Sequence, residues 1–301
     1  MSDITLEIPH VLLNTKKIRK KYQDSQGNTY RVCGFGSYPC DMNGGRSFEA
    51  GENFDSDYLS FRSGKTVSEC IAEGNEDWRG KTQGLIKART RRLNRLGVPI
   101  FATMTNVIPD VRHDNLDDAF EYLDMLAENE CGNGVVLASK EYAKAVRKRY
   151  GGRGKNLVQV CSLIMHYFNP SKYQHLFRIY DQVVIKPEHV LTPDGRINKG
   201  FFDEIGAENR GRSIVIANHP CQRDCPSLKD HYLRISEMNK SYNLYSGISA
   251  DRMVCYQSKE MVLDEDQIQQ LIEMGVTKFK FGRSRIPIIP ISELFPAVEA
   301  F

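Results

Sequence analysis

The residues with the most evident chemical potential in this chain are cysteines. Eight are present, and two of them, Cys221 and Cys225, are separated by three residues in the run NHPCQRDCP. We expect a reducing compartment, where clustered cysteines favour metal or cluster ligation over disulfides. Four thiolates at one point would hold an iron–sulfur cluster or a zinc ion, and Cys40 and Cys255 complete the candidate set. The competing interpretation is that these thiols carry no ligand, because cysteine is also a common core residue.

Histidine, asparagine and lysine side chains near the same run are the candidates for catalysis. Asn218 and His219 stand just before Cys221, while His166 and Lys186 fall on or near the ends of two other predicted strands. For each histidine the alternative is a structural role as a hydrogen-bonding core residue.

Two arginines and their neighbours are the candidates for substrate binding. Arg46 closes the run AsnGlyGlyArg, which begins at Asn43, and Arg283 follows Lys280 near the last predicted strand. Guanidinium groups bind carboxylates and phosphates through two parallel hydrogen bonds, so these residues predict an anionic small-molecule substrate or a nucleotide. The alternative for each arginine is an ion pair with a loop carboxylate.

Short apolar runs alternate with helical patterns along most of the chain, and they must position these residues. Apolar strands between helices predict a parallel sheet covered on both faces, and eight such units favour a (β/α)8 TIM-type barrel over a doubly wound open sheet. The predicted strands are 31–36, 99–103, 134–138, 157–163, 181–186, 213–218, a weaker one near 252–256, and 277–281.

The predicted organisation is a single domain. Residues 1–30 form an N-terminal extension, either a hairpin or a lid over the barrel bottom. Residues 31–283 form the barrel, with a long insertion at about 37–76 after the first strand, and residues 284–301 form a C-terminal tail. Active sites of such barrels lie at the carboxyl ends of the strands, so the candidate residues are expected to meet at one mouth.

Composition narrows the class of protein. The 41 basic and 38 acidic residues give a net charge of +3, which is too balanced to indicate nucleic-acid binding by bulk charge. The apolar runs are far shorter than the roughly 20 residues of a membrane-spanning helix, and the first residues have no signal-peptide pattern. We therefore expect a cytoplasmic protein without membrane insertion.

Four segments resemble the peptidase U32 family and its relatives. They are VIANHPCQRDCPSLKDHY at 215–232, EMGVTKFKFGRS at 273–284, MNGGR at 42–46 and YDQVVIKPEHV at 180–190. The resemblance implies a barrel-type fold and a [4Fe–4S] cluster held by four cysteines, in proteins that act in oxygen-independent hydroxylation or RNA modification, some of them as heterodimers.

Carried over residue by residue, the resemblance assigns cluster ligands. It makes Cys221 and Cys225 the paired ligands and Cys255 the later one, with Cys40 or Cys33 as the fourth. The chain lacks the longer cysteine-rich insertion and the extra C-terminal domain of several relatives, so a specific substrate does not follow.

The function predicted from the sequence is that of a U32-like iron–sulfur enzyme. It would carry out redox or oxygen-independent hydroxylation-type chemistry on a small molecule or nucleotide at the barrel mouth, and a protein partner subunit is a further expectation. One alternative is a metal- or thiol-dependent hydrolase or peptidase, although the chain has no HExxH motif. Another is a non-catalytic RNA-binding or partner subunit, for which basic stretches such as 87–95 would contact phosphates.

Overall fold

The structure is a computed structural model of the chain. It describes residues 3–9, 18, 21–23, 27–36, 78–104, 107, 116–219, 225–230, 232–233 and 261–281. The predicted insertion at 37–76 and the predicted tail at 284–301 lie outside the described residues.

Strands and helices alternate through the described part of the chain. The strands are β1 (Asp3–Pro9), β2 (Tyr22–Gln23), β3 (Thr29–Gly36), β4 (Ile100–Met104), β5 (Gly134–Leu137), β6 (Val158–Cys161), β7 (Gln182–Val184), β8 (Ser213–Ile216), β9 (Asn218–His219), β10 (Met261–Val262) and β11 (Lys278–Lys280). The helices are α1 (Trp78–Arg95), α2 (Leu116–Ala127), α3 (Lys140–Tyr150), α4 (Leu163–Phe168), α5 (Tyr173–Ile179), α6 (Pro187–Val190), α7 (Lys199–Ile205), α8 (Ala207–Arg210) and α9 (Glu265–Glu273).

Eight parallel strands close into a barrel. Their order is β1, β3, β4, β5, β6, β7, β8 and β11, and β11 pairs back onto β1. Helices connect most consecutive strands, as parallel pairing requires. The predicted (β/α)8 TIM-type fold is therefore confirmed by the strand pairing.

The first barrel strand was placed wrongly by the sequence analysis. Asp3–Pro9 is not part of an extension: it pairs in parallel with both β3 and β11 and closes the barrel. Its alternating pattern turns Ile4, Leu6 and Ile8 toward the surrounding helices, where they are fully buried, and turns Glu7 toward the barrel interior. The segment near 252–256, predicted as a strand, lies outside the described residues, and the barrel closes without it because β11 pairs directly with β8.

The barrel interior is a packed core rather than a channel. Seven buried side chains form it, namely Cys33, Phe101, Val136, Val160, Leu163, Val184 and Ile214. The Phe101 ring crosses to β5 so closely that a Cβ on Gly134 would lie 2.4 Å from a ring carbon, which is why this strand begins with glycine. A larger apolar cluster fills the layer between the strands and the helices.

Helix ends follow the local sequence. The Ser139 hydroxyl accepts a hydrogen bond from the Tyr142 amide at the start of α3, as expected for an N-cap. Asp264 and Gln267 form a reciprocal capping box at the start of α9, and Gly275 beyond its end has a φ of 91°. Within the described ranges, no helix combines the length and apolar character needed to cross a membrane.

Two short helices at the mouth were not predicted. α4 begins directly after β6 and carries His166, and α6 begins directly after β7 and carries Glu188. The predicted strands therefore end earlier than expected. β7 stops before Lys186 because Pro187 starts a helical turn.

Candidate functional site

The carboxyl ends of the strands carry two lysine–glutamate pairs. One joins β11 to β1 and the other lies within the turn that follows β7. Both lysines, Lys280 and Lys186, were singled out from the sequence. The pairs set the charge of the described part of the mouth.

The first pair is buried within the barrel. The Lys280 Nζ lies 3.2 Å from Glu7 Oε2, and the two side chains are 12% and 1% exposed. The ammonium also lies 3.6 Å from the centroid of the Phe35 ring, a favourable cation–π position. Glu7 therefore neutralises the charge that was expected to bind substrate, and removing either partner of such a pair typically costs about 3–5 kcal/mol.

The second pair, Lys186 and Glu188, contacts a tyrosine. The Lys186 Nζ lies 3.6 Å from Glu188 Oε1 and 4.5 Å from the centroid of the Tyr167 ring. The Tyr167 hydroxyl donates to Glu188 Oε2 over 3.2 Å. Burial, followed by the Glu188 charge, raises the pKa of Tyr167 well above its ordinary value. The three side chains thus form one group joined by an ion pair and a hydrogen bond. It holds exchangeable protons on the Lys186 Nζ and on the Tyr167 hydroxyl.

His166 is a neutral neighbour of this group. It is 2% exposed, and its Nε2 has no hydrogen-bond partner among the described residues. Burial, followed by the charges of Lys186 and His189, lowers the pKa of His166 to about 4, although a hydrogen bond to the Val184 backbone partly opposes the shift. At neutral pH it is an uncharged imidazole that can exchange hydrogen bonds with a ligand.

A tyrosine on α5 positions the residues around His166. The Tyr173 ring lies 4.8 Å from the His166 ring between centroids. Its hydroxyl accepts a hydrogen bond from the Lys186 backbone amide at 3.1 Å and lies 3.0 Å from His189 Nδ1. Sequence analysis missed Tyr173 because nothing in its local spacing marks it.

The predicted catalytic residues Asn218 and His219 form β9. Both side chains are buried, and β9 pairs in antiparallel register with Met261 and Val262 of β10. A further hydrogen bond joins the Leu263 amide to the Ala217 carbonyl. This ladder continues from barrel strand β8, so both ends of the segment between β9 and β10 are fixed at the mouth.

The predicted metal ligands are only partly described. Cys225 is half-buried, and its carbonyl accepts a hydrogen bond from the Leu228 amide. Cys40, Cys221 and Cys255 lie outside the described residues, as do the predicted substrate-binding residues Asn43, Arg46 and Arg283. Among the residues that are described, no three histidine, cysteine or acidic side chains are grouped as metal ligands.

The alternative fourth ligand, Cys33, has a different environment. It is 2% exposed inside the barrel, and its Sγ donates to the Leu6 carbonyl at 3.7 Å. Burial, followed by the charge of Glu7, raises the pKa of Cys33 well above its ordinary value. Cys33 is therefore a buried thiol of the barrel interior, and Cys40, the other candidate for this position, lies outside the described residues.

The comparisons with known proteins gave one structural likeness. No protein-family model matches the chain, and no curated protein matches it. A solved structure described as that of a U32 peptidase is similar to it with a TM-score of 0.45 and 18% sequence identity. The match covers 67% of this chain and 76% of that one.

Proposed function

We propose that this chain is a U32-like iron–sulfur enzyme whose active site lies at the barrel mouth. It carries out redox or oxygen-independent hydroxylation-type chemistry on a small anionic molecule or a modified nucleotide. The observation that carries the proposal is the anchoring of the cysteine-bearing segment: β9 and β10 hold its two ends at the mouth.

The positions of two cysteines along the chain support a cluster at this place. Cys221 follows His219 by two residues, and Cys255 precedes Met261 by six. Both cysteines are therefore close in sequence to the strands β9 and β10, which fix the ends of the segment. Thiolates from Cys40, Cys221, Cys225 and Cys255 suit a [4Fe–4S] cluster, and zinc is the alternative occupant.

A bound cluster would supply electron transfer, and the surrounding residues would supply binding and proton handling. Lys186, Glu188 and Tyr167 hold a proton at the mouth, and His166 offers an uncharged imidazole. Arg46 and Arg283 remain the candidates for binding the anionic group of a substrate, since Lys280 is neutralised by Glu7.

Metal analysis after anaerobic purification tests the proposal. We expect about four irons and four sulfides per chain, together with a brown visible absorption, in the unaltered protein. Alanine in place of Cys40, Cys221, Cys225 or Cys255 should remove most of the iron. The matched control is Cys131→Ala, because Cys131 is half-buried at the opposite end of the barrel.

The possible outcomes separate the functional classes. Iron that persists in all four variants, or that is lost equally in the Cys131 variant, contradicts the ligand assignment. One zinc per chain in place of iron favours a metal-dependent hydrolase or a structural site. A protein that binds neither metal leaves the mouth without a redox group and overturns the proposal.

A further inference from the structure

A cavity of about 630 Å³ opens at the end of the barrel opposite the mouth. Its walls include Thr5, Arg31 and Gln182 near the starts of β1, β3 and β7, Asn94 from the last turn of α1, and Cys131 from the connection that precedes β5. Its volume falls within the range of small-molecule sites, roughly 300–1,000 Å³. Apart from Cys33, the alternative fourth ligand, none of the residues assigned to the mouth lines it, so the cavity is independent of the proposed function.

Two carboxamides in its wall have unpartnered oxygens. Asn94 is 8% exposed, and its Oδ1 is buried without a hydrogen-bond partner among the described residues. The same holds for Oε1 of Gln182. Buried acceptors are rarely left unpaired in proteins.

Both amides can serve a ligand in the cavity. The oxygen and nitrogen of a carboxamide occupy almost the same space, so a half-turn of the group exchanges them at little steric cost. Asn94 and Gln182 both line the cavity, so their amide groups can donate to or accept from a polar ligand.

Charged side chains at the same cavity indicate which charged and polar groups a ligand would carry. Arg31 is half-exposed and forms an ion pair with Asp3 at 3.1 Å, which solvent weakens. Arg95 has no ion-pair partner among the described residues, and both guanidinium groups suit an anion. Glu130 lines the cavity as well and can accept hydrogen bonds from amino or hydroxyl groups.

We propose that this cavity is a second binding site, which takes a small organic anion that also bears amino or hydroxyl groups. The anionic group meets Arg95 and Arg31, while the donor groups meet Glu130 and the two amides. The ring of Phe101 and the buried thiol of Cys33 supply an apolar floor toward the barrel interior. Three sources share this chemistry: a sugar phosphate, a nucleotide and an amino acid.

Titration calorimetry on the full chain tests the site with ribose 5-phosphate, adenosine monophosphate and L-glutamate. We expect saturable binding of at least one of them, and the one that binds identifies the source. Arg95→Gln should weaken that binding about tenfold or more, since a charge-assisted hydrogen bond contributes about 1.5–3 kcal/mol. The matched control is Arg92→Gln, an exposed arginine on the same helix that does not line the cavity.

Gln182→Leu tests the amides separately from the charges. It removes the donor and acceptor groups while keeping most of the side-chain volume, and it should also weaken binding severalfold. If this variant fails to fold, Arg95→Gln still decides the matter because Arg95 is exposed.

Alkylation of Cys131 locates the bound ligand. The ligand should slow the reaction of Cys131 with iodoacetamide, followed by peptide mass spectrometry, and should not slow it in the Arg95→Gln variant. The proposal is overturned if none of the three compounds binds saturably at millimolar concentration, or if Arg95→Gln has no effect. It is also overturned if Cys131 is not protected, or if inorganic phosphate binds as tightly as the organic anions.

Discussion

At the scale of single residues, the mouth of the barrel is controlled by partners that lie far away in the sequence. Lys280 and Lys186 could be selected from the sequence because they end predicted strands. The partner of Lys280 could not, because Glu7 lies 273 residues away and only barrel closure brings the two together. Tyr167 likewise has no local signal, since its role comes from the fold of the turn around Glu188.

The burial of His166 at the mouth predicts a specific dependence of stability on pH. His166 has a pKa of about 4 in the folded protein and an ordinary value near 6.5 in the unfolded chain. Between these values the unfolded chain binds more protons, so the stability contributed by the neutral imidazole is complete above about pH 6.5 and is lost as the pH falls toward 4. From pH 7 to pH 5 this loss amounts to roughly 2 kcal/mol.

Urea unfolding of the protein and of His166→Gln at pH 7, 6 and 5 measures this effect. The difference in the free energy of unfolding between the two proteins should change with pH in the stated direction, because glutamine does not titrate. The control is His175→Gln, which replaces an exposed histidine on the next helix. A pH profile that His166→Gln leaves unaltered would show that His166 is not held neutral by burial.

At the scale of elements, strands and helices were predicted correctly where their own sequence contains an apolar run, a periodic apolar face or a capping residue. β5 is an unbroken apolar run whose four residues are all buried, and α3 has both a periodic apolar face and its Ser139 cap. The short helices α4 and α6 have six and four residues. Helices of that length are stabilised by tertiary packing rather than by their own sequence, so no pattern marks them.

The capping box of α9 has a consequence for the candidate site. Asp264 follows β10 after one residue, so the start of α9 fixes the second end of the cysteine-bearing segment. Its side chain accepts a hydrogen bond from the Gln267 amide at 2.8 Å, and the Gln267 Oε1 accepts one from the Asp264 amide at 3.0 Å.

Removal of that cap should lower stability measurably. Asp264→Ala is expected to reduce the free energy of unfolding by about 1 kcal/mol, because the Gln267 backbone amide at the helix start loses its partner. Chemical denaturation provides the measurement. Asp266→Ala in the same helical turn serves for comparison and should cost only about 0.3–0.5 kcal/mol, through the helix dipole. Equal losses in the two variants would mean that the capping hydrogen bonds contribute nothing specific.

At the scale of the whole molecule, barrel closure was the feature that local patterns could not reveal. The sequence indicates eight strand–helix units, and the barrel has eight strands. The predicted set contains the segment near 252–256, whereas the barrel contains Asp3–Pro9. Asp3–Pro9 alternates polar and apolar residues, which is typical of a half-exposed strand rather than of an unbroken apolar barrel strand. Its acidic Glu7 is tolerated inside the barrel because Lys280 on the last strand neutralises it.

A strand that closes the barrel must contribute to the stability of the entire domain. Leu6 is fully buried on the outward face of β1 and belongs to the main apolar cluster, whereas Leu96 is 38% exposed beyond the end of α1. Leu6→Ala should therefore reduce the free energy of unfolding by about 2–5 kcal/mol, through lost burial and the cavity left behind. Leu96→Ala removes the same atoms from a solvated site and should stay within about 0.5 kcal/mol of the unaltered protein. Both values come from the same urea titrations, followed by circular dichroism. A dispensable N-terminal extension would give two small and similar changes, and that result would contradict closure of the barrel by β1.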